Sequence, residues 1–396
     1  MIPPIPLHEA QARLLELVRQ TPVETVPCED ALGRYLAEPV LAGRRQPSAD
    51  LSAMDGFAVA ADGPWRIVGE SRCGAPFEGT LKPGEATKIS TGAHMPVGAD
   101  AVVVIEDAEL GDANSLRAAE TPVPGRHIRR AGEDFEAGSR ILDAGTRVMA
   151  PQIALARMAG ESALRVRAVP KLSILECGDE LAEDQADCAA HQIPATNGAM
   201  LRAMAKAERV HIEHGPPVAD NLDSLIAAVE AQSAADLLVF SGGASVGDHD
   251  LVRPALERSG ANIDFWRVAI KPGKPLMVAT RGSQIILGLP GNPVSSYVTA
   301  FLFMLPALRK MLGAERCIPH PLALPCSEAL PEGGPRRTFI RARLENGTAV
   351  PLAQQSSGAL GALAQTDVLI ERAEHCAATD AGAHVPAYLL GNGYLA

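Results

Sequence analysis

From about residue 169 to 313 the chain alternates continuous apolar runs with amphipathic segments, and this rhythm constrains the fold more than any other feature. "KLSILE" (171–176), "ADLLVFSGG" (235–243) and "QIILGLPG" (284–291) are apolar on both faces, as strands of a sheet covered on both sides must be. "NGAMLRAMAKAE", "DSLIAAVEAQS" and "NPVSSYVTAFLFMLPALRKMLG" carry helical periodicity, the last with Asn292 as expected cap and Pro293 in its first turn. Strand and helix in alternation imply a doubly wound parallel sheet. Ligands of such sheets bind beyond the carboxyl ends of the strands. Here those positions hold "CGDEL", "SGGASVGDHD" and "GLPGNP", all rich in glycine and polar side chains.

The flanking sequence has a different texture. Leu7, Ala10, Leu14, Leu17 and Val18 share one helical face that ends at Thr21-Pro22. Residues 43–136 read as a β-rich unit of short runs such as "WRIVGE" and "DAVVVIED" broken by turns, and "AGTRVMAPQIALARMAG" as a turn followed by a helix. Beyond 316, "RRTFIRARL", "DVLIERA" and "AHVPAYLL" predict a small β tail. The expected architecture is multidomain, α/β plus β. Residues 1–42 with 137–168 form a helical and extended first domain, 43–136 a β-rich second domain, 169–315 the central α/β domain, and 316–396 a C-terminal β domain.

The net charge of −11 argues against nucleic acid and acidic membranes as partners, because both ask for a broad basic surface. Any bound anion must therefore meet positive charge locally. Seven cysteines, an odd number with no C-x-x-C spacing, fit a reduced cytoplasmic chain without structural zinc. No apolar run approaches the length of a membrane span, and the first residues lack the basic-then-apolar pattern of a secretion signal.

Two loops stand out chemically. In "SGGASVGDHD" (241–250), Gly242, Gly243 and Gly247 let backbone N–H groups converge on a phosphate, Ser241 and Ser245 offer hydroxyls, and Asp248 and Asp250 offer hard oxygens for Mg²⁺. The same loop reads equally as a tight strand-to-helix turn with solvated aspartates. In "AIKPGKPLMVA" (269–279), Pro272 and Pro275 stiffen a loop that carries Lys271 and Lys274 and keep it out of any central strand. Two adjacent ammonium groups repel unless a dianion such as molybdate, sulfate or phosphate sits between them. Taken alone, they read as two solvated lysines. Asp55 in "SAMDGFAVAAD", Thr91 in "ISTGAHMP" and Asp134 in "RRAGEDFEAG" are ambiguous by themselves. His211 and His214 in "HIEH" read as surface groups on opposite faces of a strand.

Nine stretches in order, "SAMDGFAV", "ISTGAHMPVGADAVV", "IRRAGEDF", "GDEL", "TNG", "SGGASVGDHD", "AIKPGKP", "GLPGNPVS" and "QSSGALGALA", resemble the molybdopterin molybdenumtransferase family, the bacterial MoeA type that also forms the gephyrin E domain. The resemblance implies an enzyme of molybdenum cofactor synthesis that takes adenylylated molybdopterin and molybdate, depends on Mg²⁺ and releases AMP. It implies a four-domain homodimer whose cleft is lined by the α/β domain of one subunit and the β-rich domain of the other. Transient contact with molybdopterin adenylyltransferase or molybdoenzyme chaperones follows from the same likeness. Matched position by position, Ser245, Lys271, Lys274, Arg341 and Ser357 correspond to molybdate contacts. Asp55, Thr91, Asp134, Asp179, Glu180 and Asp220 correspond to catalytic positions. Asp248, Asp250 and Glu180 correspond to the metal region, and Asn197, Gly242, Gly243, Gly247, Pro290, Gly291 and Asn292 to nucleotide or pterin contacts. The chain departs from the family at Glu176-Cys177, where Ser-Thr is usual, and at Pro194-Ala195, where an aromatic and Asp are common. The rival readings are a CinA-like nucleotide pyrophosphatase, which the presence of the β-rich region opposes, and a dimeric scaffold without catalysis.

Overall fold

The computed structural model describes residues 3–184, 186, 188–242 and 251–390. At its centre lies a six-stranded sheet in the order His211–His214, Lys171–Glu176, Leu237–Ser241, Gln284–Leu289, Met277–Arg281, Asn262–Trp266. The first four strands are parallel, as the apolar runs predict. Met277–Arg281 is antiparallel to both of its neighbours, so the sheet is mixed rather than fully parallel. The reason is local: Arg281 pairs with Gln284 across Gly282-Ser283, and a two-residue connection permits only a hairpin, never a crossover.

Alternate residues of these strands feed two separate cores, which is how both faces come to be buried. Leu172, Ile174, Val239, Ile285 and Leu287 pack with Leu201, Phe303, Leu308 and the N-terminal Leu7 and Leu14 on one side. Leu175, Leu238, Phe240 and Ile286 pack with Leu225, Val229 and Leu256 on the other. The doubly wound architecture is therefore present, with the helix Leu7–Leu17 recruited to the first core.

The long C-terminal helix of this unit runs as Pro293–Thr299, a π-turn over Ala300–Met304, and Leu305–Met311. Pro306 explains the irregularity, since it has no N–H to offer the Leu302 carbonyl four residues earlier. The buried Gln11 side chain supplies a donor instead, Nε2 to Leu302 O at 3.0 Å. Asn292, expected to cap this helix, makes no side-chain capping bond. The Val294 N–H is met by the Ser357 carbonyl at 3.2 Å, which ties the helix start to the C-terminal part of the chain.

Around this unit, Val23–Pro27 pairs antiparallel with Ala163–Arg167, bracketing a six-stranded sheet in the order Ala101–Val104, Gly56–Val59, Glu85–Ile89, Trp65–Ser71, Ser115–Ala118, Ala108–Leu110. The last sheet is built on Arg337–Glu345, which pairs with Val368–Arg372 and Thr348–Pro351. Its other edge accepts the two residues Ile270–Lys271 in parallel, Ile270 opposite Arg337 and Lys271 opposite Thr338. No helix among the described residues is long and apolar enough to cross a membrane.

Replacing Gln11 by Leu keeps the volume but withdraws the donor from Leu302. The unfolding midpoint in chemical denaturation is expected to fall by the equivalent of about 1–2 kcal/mol, the cost of an unmet buried carbonyl.

Candidate functional site

The cationic end is assembled first. Lys271 and Lys274 are both exposed, on a loop closed by Val268 N–H donating to Lys274 O at 3.1 Å. Between them Gly273, at φ +105°, lies flat on the helix: a Cβ there would fall 2.6 Å from Thr299 Cγ2. The lysines are thus held by packing as well as by their prolines. Neither has a carboxylate within ion-pair distance among the described residues.

Arg341 lies on the strand that accepts Lys271, three residues beyond its partner Thr338, or about 10 Å along the strand. It is 2% exposed. Nη2 donates to Gln354 O at 2.7 Å and Ser356 O at 3.1 Å, while Nε is buried with no partner. Gln355 fastens the wrapping loop by accepting from Arg341 N–H and donating to Arg341 O. Burial holds the guanidinium below its ordinary pKa. No acid pairs with Arg341 among the described residues, so it is a cation desolvated without a counter-charge, an arrangement that favours a bound anion. Ser357 follows on the same loop and meets Val294 through its carbonyl. The lysine loop, through Gly273 on Thr299, and the loop that wraps Arg341, through Ser357 on Val294, both reach the helix that begins at Pro293.

A polar junction sits at the carboxyl ends of the central strands. Asn197 Nδ2 donates to Gly291 O at 2.6 Å and to Ser241 Oγ at 3.0 Å, and Asn197 Oδ1 is buried without a partner. Ser241 Oγ lies 3.5 Å from Ser296 Oγ, and Gly242 N–H donates to Leu289 O at 3.3 Å. Pro290 is buried beside the exposed Gly291 and Asn292. Gly243, Ser245, Gly247, Asp248 and Asp250 lie outside the described residues.

The acidic end follows the strand Lys171–Glu176. Asp179 Oδ1 accepts the Asp220 N–H at 3.0 Å, and Glu180 is exposed next to it. Burial, and then the nearby charges of Asp179 and Glu180, push Asp220 above the usual carboxylate range. No group of three acid, histidine or cysteine side chains is arranged to hold a metal among the described residues. In the β-rich unit, Asp55 Oδ1 accepts the Thr91 N–H at 2.8 Å, which brings those two together. Asp134 is exposed and anchored only through its own N–H to Gln46 O at 3.0 Å. No hydrogen bond or ion pair among the described residues carries Asp55, Thr91 or Asp134 to the α/β unit of the same chain.

One pair escaped the sequence reading. The Glu176 side chain is 3% exposed and its Oε2 lies 3.0 Å from His214 Nε2, so His214, at the surface as expected, also partners a buried acid. The pair lies against Gly198, where a Cβ would come within 2.3 Å of the carboxylate and 2.1 Å of the imidazole. The available signal was a lone acid closing an otherwise apolar strand, one residue in register with Ser241.

Because the Asp220 pKa is raised on folding, the native state binds more protons than the unfolded chain between the usual carboxylate range and that raised value. Stability therefore falls as pH rises through that window. In chelator-treated protein, Asp220→Asn is expected to raise the thermal midpoint at pH 7, with the gain vanishing in acid where Asp220 is itself neutral.

Three regions of the chain match known protein families. Residues 5–160 match the MoeA N-terminal region (domain I and II), 173–310 a probable molybdopterin binding domain, and 323–390 the MoeA C-terminal region (domain IV). The chain is 33% identical over 390 residues to the molybdopterin molybdenumtransferase of Bacillus subtilis, covering 93% of this chain and 90% of that one. It is 33% identical over 319 residues to that of Haemophilus influenzae, covering 78% of each. A crystal structure of the Pyrococcus horikoshii molybdopterin biosynthesis MoeA protein superposes with a TM-score of 0.79 at 28% identity, covering 98% of this chain and 99% of that one. From its fold, its three matched regions and these relatives, the chain belongs to the molybdopterin molybdenumtransferase family.

Proposed function

We propose that this chain, an enzyme of molybdenum cofactor biosynthesis, binds adenylylated molybdopterin and molybdate in the cleft just described, cleaves the phosphoanhydride with release of AMP, and leaves molybdenum on the dithiolene. The observation that carries the reading is the buried, uncompensated Arg341 beside the stiff lysine loop. Molybdate is a tetrahedral dianion, and cations fixed in advance bind it without reorganisation. Lys271 and Lys274 supply charge from one side, Arg341 from the other, with the hydroxyls of Ser357 and Ser245 to orient its oxygens.

The acidic end has the opposite task. Asp179 and Asp220 carry hard oxygen donors, Asp220 held protonated more readily by burial and then by the charges of Asp179 and Glu180, and a divalent cation would offset that charge. Mg²⁺ characteristically takes one or two carboxylates together with substrate phosphates and water, so this donor set fits it, with Glu180, Asp248 and Asp250 as further candidates. When bound, Mg²⁺ would neutralise charge on the phosphoanhydride. Asn197, Gly242, Pro290, Gly291 and Asn292 lie between the two ends, where the unpartnered Asn197 Oδ1 can accept from the nucleotide or pterin, with Gly243 and Gly247 as further contacts by the family likeness. Asp55, Thr91 and Asp134 then complete the cleft from the β-rich unit of a second copy in a homodimer. Free cysteines throughout suit a cytoplasmic setting.

Purified protein given Mg²⁺, molybdate and adenylylated molybdopterin should release AMP, and a preparation that binds all three without releasing it would overturn the catalytic reading. Lys274→Ala should weaken molybdate binding by about 2–3 kcal/mol while AMP affinity holds, as expected for one lost charge-assisted contact. Calorimetry showing equal losses for both ligands would refute the division of labour.

A further inference from the structure

A third cation group flanks the lysine loop, and neither the sequence motifs nor the family likeness assigns it a role. Trp266 ends the edge strand Asn262–Trp266, which runs in the same direction as Lys171–Glu176, Leu237–Ser241 and Gln284–Leu289. Its ring therefore lies at the carboxyl edge of the sheet, the edge at which open α/β sheets take ligands. Two guanidinium groups sit over it, Arg253 with Cζ 5.6 Å and Arg267 with Cζ 5.2 Å from the ring centroid. The indole Nε1 is buried without a hydrogen-bond partner.

Arg267 is also in a backbone conformation that arginine rarely adopts, at φ +79°. The strain is imposed from both sides: Arg267 N–H donates to Leu276 O at 2.9 Å, and Arg267 O accepts the Ile5 N–H at 3.1 Å. Its chain neighbour Val268 donates to Lys274 O at 3.1 Å, so Arg267 borders the lysine loop directly. Arg253 is partly neutralised by Glu257, Nε to Oε1 at 2.9 Å, whereas Arg267 has no ion-pair partner among the described residues. A chain of net charge −11 thus spends a strained backbone position on an unpaired guanidinium at its ligand-binding edge.

We propose that Arg267, held in place by Trp266 and assisted by Arg253, binds a tetrahedral oxyanion of the substrate next to the lysine pair. The cation–π contact with the indole restrains the guanidinium, whose N–H groups can form the two parallel bonds that phosphate-like groups accept. Nucleotide phosphate and molybdate share this chemistry. The assignment rests on the reading that the cleft takes a phosphate-bearing nucleotide and molybdate.

The test separates the two readings because it measures binding without turnover. The chain has two tryptophans, and Trp65 is 3% exposed with its Nε1 donating to Ala61 O. Trp266 emission should therefore change saturably as full-length protein is titrated with AMP, inorganic phosphate or molybdate, and Trp266→Phe should abolish the change. Arg267→Gly removes the guanidinium while relieving the positive φ, so its thermal midpoint should match or exceed the parent's. Its affinity for at least one of the three anions should nevertheless fall by about tenfold, and Arg267→Lys should restore part of it. Loss confined to AMP and phosphate assigns the site to the nucleotide, and loss confined to molybdate assigns it to the metal oxyanion. Unchanged affinity for all three in Arg267→Gly, or no response of Trp266 to any anion, overturns the proposal. Arg267-dependent binding in a protein that fails to release AMP would support this site and sink the catalytic reading instead.

Discussion

Two residues of parallel pairing, Ile270 and Lys271 against Arg337 and Thr338, are the joint on which the site depends. They place the lysine loop of the α/β unit and the buried Arg341 of the C-terminal sheet on a common frame. The Ser357 carbonyl on Val294 N–H and the seating of Gly273 on Thr299 fix the same frame from its other sides. Without that joint, like charges would relax away from one another, since repulsion between exposed ammonium groups is cheaply relieved by side-chain rotation. With it, the backbone beneath both lysines stays in place beside the C-terminal sheet.

The two ends of the cleft have opposite signs, and the fold keeps them apart. Cations gather around the start of the helix at Pro293, acids at the turn after Lys171–Glu176, and Asn197 spans the ground between by reaching both Ser241 and Gly291. In the reaction proposed above, an oxyanion and a phosphoanhydride lie near each other. Each needs its charge balanced by groups that do not neutralise those serving the other.

Several departures from ordinary packing fall among the candidate site residues. Arg341 is buried without an acid, Asn197 Oδ1 and Trp266 Nε1 lack partners, and Arg267 is held at positive φ. Elsewhere two buried ionic groups are matched, whereas Arg372, like Arg341, meets only backbone carbonyls among the described residues, Pro331 O and Ala377 O. Arg309 meets Glu208 at 2.8 Å, and Arg337 meets Glu371 at 2.7 Å. A matched pair offsets part of the desolvation of its members, and an unmatched group at a ligand site can be offset by the ligand.

The sequence by itself determined what is local. Continuous apolar runs dictated strands buried on both faces, helical periodicity dictated their covering helices, and proline with glycine dictated a stiff loop under Lys271 and Lys274. The ordered motifs were specific enough to place the chain in its family. Tertiary structure alone decided what depends on partners far along the chain. The antiparallel turn of Met277–Arg281 within the sheet, the replacement of the Asn292 cap by Ser357, and the burial of Arg341 are of this kind. So is the Glu176–His214 pair, since a strand's pattern says which face a side chain takes but not which residue of another strand waits there. Side-chain direction follows from backbone period, whereas desolvation and charge pairing follow from the neighbours that packing supplies.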